Sequence, residues 1–148
     1  MNHKPIEILL IEDNPADIRL TKEAFREARI QNNIHVVQDG DGAIAFVHQD
    51  EPYQDAPRPD LILLDLNLPK KDGREVLEEI KADPQIHQIP VVILTTSNDE
   101  EDVLRSYNLH ANAYLVKPID VMRFIKMIQS LESFWLSFVR LPPNISSS

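Results

Sequence analysis

Unbroken aliphatic runs recur along the chain: Ile8–Ile11 after Ile6, then Leu61–Leu64, then Val91–Leu94. None alternates with polar residues, which is the pattern of strands buried on both faces. A weaker strand is expected at His35–Gln38 and a short one at Ala113–Val116. Between the strands, apolar residues fall at helical spacing. Asn14-Pro15 starts a helix to about Arg29, because asparagine caps well and proline suits the first helical position. Ala43, Ile44 and Phe46-Val47 suggest a short helix ending near His48. Val76, Leu77 and Ile80 mark another over Gly73–Ala82, and Val103, Leu104 and Tyr107 one over Asp99–Leu109. A last helix begins near Val121. Gln49–Asp60 holds Pro52, Pro57 and Pro59 and reads as an exposed loop. Five strands alternating with five helices predict a doubly wound parallel sheet.

Composition narrows the setting. The 148 residues, 43% of them hydrophobic, suit one domain with a real core. Absence of cysteine excludes disulfides and thiolate metal sites and points to a reducing cytoplasm. Met1–Glu7 lacks the apolar stretch of a signal peptide, and no window is apolar enough to cross a membrane. The net charge of −9 argues against a nucleic-acid surface.

Candidate chemistry stands at the strand ends. In an open parallel sheet the C-terminal ends gather along one edge, so Glu12-Asp13, Asp65, Thr95 and Lys117 should surround one pocket. Crowded carboxylates repel, so one must be protonated or a cation must bind. Hard carboxylate oxygens with room for waters and a phosphate oxygen describe a Mg²⁺ site. The Thr95 hydroxyl and Lys117 ammonium beside it suit a phosphoryl group, and Asp65 is a reasonable nucleophile.

In this order, these residues resemble the receiver domains of two-component response regulators, over about Ile6 to Leu131. The resemblance implies a flavodoxin-like sheet of order 2-1-3-4-5, with Asp65 as phosphoacceptor and Glu12-Asp13 as its acidic pair. It implies Mg²⁺ held by Glu12, Asp13, Asp65 and the Asn67 backbone carbonyl. Pro69 and Asp72-Gly73 match the loop signature, Thr95 the switch hydroxyl, Tyr114 the switch aromatic, and Lys117-Pro118 the phosphate-contacting lysine before a commonly cis proline. It further implies a histidine kinase as partner and a protein that accepts a phosphoryl group and assists its own dephosphorylation, rather than a conventional enzyme.

The last helix is distinctive. Phe124, Ile128, Leu131, Trp135 and Phe138 continue one stripe, flanked by Phe134, until Pro142-Pro143 stops it. Such a helix of about 20 residues spans about 30 Å, whereas a buried five-residue strand spans about 17 Å. Phe134, Trp135 and Phe138 should therefore overhang the sheet and form a homodimer interface. Residues 1–141 are expected to form the receiver domain, with 142–148 a disordered tail that leaves no room for a DNA-binding unit. The tail and the acidic loop also resemble single-domain regulators of bacterial and cyanobacterial phytochrome kinases.

Two alternatives share parts of this pattern. An aspartyl-phosphate phosphatase would want a second acid where Asn67 stands. A flavodoxin-like FMN carrier would want a glycine- and hydroxyl-rich loop where Glu12-Asp13-Asn14-Pro15 stands.

Overall fold

The computed structural model describes residues 5–96, 111, 113–118 and 120–130. Within them lie β1 (Ile6–Ile11), α1 (Pro15–Ala28), β2 (Asn32–Val37), α2 (Gly40–His48), β3 (Leu61–Asp65), α3 (Gly73–Ala82), β4 (Val91–Thr95), β5 (Ala113–Val116) and α4 (Val121–Ser130). The strands form one sheet of order β2-β1-β3-β4-β5, every neighbouring pair parallel. This is the expected doubly wound, flavodoxin-like order. The helix expected over Asp99–Leu109, the interface residues Phe134, Trp135 and Phe138, and the tail after Leu141 lie outside the described residues.

Each aliphatic run serves two cores at once. Leu9, Ile11, Ile62, Leu64, Val91 and Ile93 face one side, under Phe46 of α2 and Val76, Leu77 and Ile80 of α3. Ile8, Leu10, Leu61, Leu63, Val92 and Leu94 face the other, under Phe25 of α1 and Phe124 of α4. Successive strand residues point to opposite faces, so a run covered on both sides must be apolar at every position. Phe25 and Phe124 meet edge to face with centroids 4.4 Å apart and clamp α1 to α4.

The helix starts follow local capping. Asn14 Oδ1 accepts hydrogen bonds from the Ala16 and Asp17 amides at 2.9 and 3.1 Å. Asp72 Oδ1 accepts from Arg74 N at 2.7 Å, while Glu75 Oε1 accepts from Asp72 N at 3.3 Å, a reciprocal box that opens α3.

Two boundaries differ from the sequence expectation. Strand β2 begins at Asn32 rather than His35, since Asn32 and Asn33 pair with Ile6 and Glu7. The Glu7 carboxylate accepts from Asn33 Nδ2 at 3.1 Å and lies 2.8 Å from His35 Nε2. Asparagine is a poor strand former, and only the cross-strand partner reveals its role. Helix α2 begins at Gly40, ahead of Ala43, the first of the apolar residues that suggested it, and is capped by Asp39 Oδ1 on the Gly42 amide at 2.7 Å. A β-carbon at Gly40 would lie 2.5 Å from Lys71 Cβ and 2.6 Å from Lys71 O. That close approach fixes the loop after β3 against α2, and the loop carries Asn67 beside the pocket.

Candidate phosphoacceptor and metal site

The three central strands end together, and their last or next residues converge. Glu12 follows β1, Asp65 closes β3 and Thr95 closes β4; all three are buried. Asp13 is exposed at the rim. Strand β5 pairs Val116 with Thr95, and the Lys117 amide donates to Thr95 O at 2.7 Å. Lys117 is thereby delivered to the same edge, and its bond to Pro118 is cis.

Lys117 Nζ stands 2.8 Å from Glu12 Oε1, 2.9 Å from Asp17 Oδ2 and 3.2 Å from Asp65 Oδ2. The Asp17 contact has hydrogen-bond geometry. The Glu12 contact is as short but less well aligned, and it pairs the buried Oε1 with the ammonium. Asp65 is oriented from its other side, where Oδ1 accepts from Asn67 N at 3.1 Å. Glu12 Oε2 accepts from Asn14 N at 3.3 Å.

The electrostatics follow from crowding. Burial, then the neighbouring Asp65 carboxyl, pushes the Glu12 carboxyl up to about 7 despite the attraction of Lys117. Burial by itself would lower the Lys117 ammonium, but Glu12, Asp17 and Asp65 outweigh it and hold the group above its ordinary value. One ammonium faces Asp17, Asp65 and Glu12, with Asp13 near by, so the fully ionised pocket carries uncompensated negative charge. Carboxylate oxygens of Glu12, Asp13 and Asp65 lie within 4.8 Å of one another. This set of buried and rim carboxylate oxygens fits a hard divalent cation.

The comparisons with known proteins bear on the same residues. The response regulator receiver domain family matches residues 8–129. The chain belongs to that family. Response regulator Rcp1 of Synechocystis sp. is 52% identical over 141 residues, which are 95% of this chain and 96% of that protein. A crystal structure of the Mn²⁺-bound form of Rcp1 is 53% identical with a TM-score of 0.74, over 93% of this chain and 99% of that one. The phosphorylated cyanobacterial phytochrome response regulator RcpA is 50% identical with a TM-score of 0.74, over 95% and 99%.

As a response regulator receiver, the chain is separated from the FMN carrier and the phosphatase raised by its sequence. Among its sequence-predicted site residues, Glu12, Asp13, Asp65 and Lys117 come together, and Thr95 stands on the adjoining strand end. Asn67 is exposed, with its amide turned to Asp65. Tyr114 is half-buried on β5 and packs against the core beneath α2 and α3. Sequence reasoning missed Asp17, the hydrogen-bonded partner of Lys117. An acid in a first helical turn ordinarily just complements the helix dipole. Its spacing from Asp13 gave no signal, because Asp13 precedes the extended Asn14 cap and is not on the helix. Among the described residues no helix is long and apolar enough to cross a membrane.

Proposed function

We propose that Asp65 is the phosphoacceptor of this receiver domain, taking a phosphoryl group from the phosphohistidine of a sensor histidine kinase. The supporting observation is the Asp65 carboxylate, buried at a strand end between Lys117 Nζ at 3.2 Å and the Asn67 amide at 3.1 Å. In the transfer a carboxylate oxygen bonds to phosphorus as the phosphorus–nitrogen bond of the donor breaks, and the imidazole leaves. Lys117 and the Thr95 hydroxyl receive the phosphoryl oxygens, on which negative charge gathers. Glu12, Asp13, Asp65 and the Asn67 carbonyl would hold Mg²⁺, whose double charge offsets the repulsion between Asp65 and an anionic donor. Burial of Asp65 keeps bulk water from the acyl phosphate, and the Asn67 side chain orders the water that later hydrolyses it. Phosphorylation then shifts the balance between two conformers, with Thr95 and Tyr114 as the switching side chains. In this reading the domain assists its own phosphorylation and dephosphorylation.

The partner is proposed to be a phytochrome-type kinase, a reading supported by the identity to Rcp1 and RcpA. Signal output is by protein contact or phosphorelay in the cytoplasm, and the acidic charge disfavours nucleic acid. Self-association through Phe134, Trp135 and Phe138 is proposed from their apolar stripe alone. A native dimer that persists unchanged in sedimentation after Trp135→Ala and Phe138→Ala would remove that interface. The central test is transfer of radiolabelled phosphate from a phosphorylated kinase. Asp65→Asn should abolish labelling, and labelling retained in that variant would refute the assignment.

A further inference from the structure

The mechanism above leaves Asp17 without a role, although it is one of the three carboxylates on Lys117. Glu12 and Asp65 are needed by a metal ion and by the phosphoryl group, yet in this structure both stand within 3.2 Å of the Lys117 ammonium. A cation entering beside Glu12 and Asp65 therefore competes with that ammonium for the same oxygens and is repelled by it. Asp17 lies outside the set of oxygens that converge as a metal cluster. It sits on the first turn of α1, partly open to solvent, and accepts a 2.9 Å hydrogen bond from Nζ. We propose that Asp17 is a positioning residue that anchors the Lys117 ammonium at the outer side of the pocket, freeing Glu12 and Asp65 to turn to a divalent cation.

The anchor keeps the ammonium charged and close enough to meet a phosphoryl oxygen without requiring Glu12 or Asp65 as its only partners. With Asp17 neutralised, the ammonium settles on Glu12 Oε1 and Asp65 Oδ2 and obstructs the cation. Asp17 touches no reacting atom and acts only through Lys117. This inference rests on the reading of the pocket as the phosphoacceptor site, and the test separates the two.

Mg²⁺ affinity of the unphosphorylated protein, measured by titration calorimetry at about 0.15 M salt, screens distant surface charge while sparing buried pairs. Asp17→Asn should weaken Mg²⁺ binding about fivefold, the size of a good partly exposed ion pair. Asp17→Glu, which keeps the charge, should restore affinity to within about twofold. In a Lys117→Met background the Asp17→Asn shift should fall below about twofold, since the ammonium through which it acts is gone. An equal shift in both backgrounds, or none in the native background, overturns the proposal while leaving the phosphoacceptor reading in place. Native protein that takes up no Mg²⁺ overturns the reading of the pocket itself.

Discussion

Replacing Glu12 by glutamine should stabilise the metal-free protein, and the gain should grow with pH. Glutamine matches protonated glutamate in shape and removes the charge that burial opposes. The carboxyl is pushed from its ordinary 4.5 to about 7 in the folded chain. A raised carboxyl contributes stability that is present below the unfolded value and is lost as pH rises through the folded one. At about 1.4 kcal/mol per unit, the buried charge costs the native protein about 3 kcal/mol at pH 8 but only about 1 kcal/mol near pH 5. Glu12→Gln should therefore raise unfolding free energy by about those amounts, and at pH 8 raise the midpoint by about 6–12 °C for a chain of this size. Urea and thermal unfolding in the presence of a chelator, followed by circular dichroism at both pH values, measures this directly. Added Mg²⁺ should stabilise the native protein far more than the variant, because the variant lacks one anionic ligand. A variant less stable than the native chain at pH 8 without metal would refute the reasoning. It would mean that the ionised Glu12–Lys117 contact outweighs the cost of burying the charge.

Mg²⁺ binding to the native protein should release a proton from Glu12 below about pH 7, so affinity rises with pH up to that point and flattens above it. Calorimetry in two buffers of different ionisation enthalpy reports the proton, and identical apparent enthalpies at pH 6 would contradict it. Phe124 is fully buried against Phe25, and Phe124→Ala should cost about 3–5 kcal/mol in urea unfolding. A loss below about 1 kcal/mol would show that the α1–α4 contact contributes little to the core.

Much of this protein follows from its residues in order. The runs Leu61–Leu64 and Val91–Leu94 admit only strands covered on both sides, because no polar residue is present to face water. Once those strands are parallel, their C-terminal ends share an edge, so Asp65, Glu12-Asp13, Thr95 and Lys117 had to be neighbours. Asn14-Pro15 marks a helix start, because the asparagine satisfies amides two and three residues on. Interactions set by distant chain remained illegible. Asn32-Asn33 joins a strand only because Ile6 and Glu7 lie alongside. Glycine at position 40 makes room for Lys71, which lies far along the chain and packs against it. Asp17 and Lys117 stand a hundred positions apart in the chain, and their contact depends on the packing of α1 beside the end of β5. Local patterns encode which face a residue must hide and which amide it can cap. Which charge meets which is decided only when separate elements are packed and water is excluded between them.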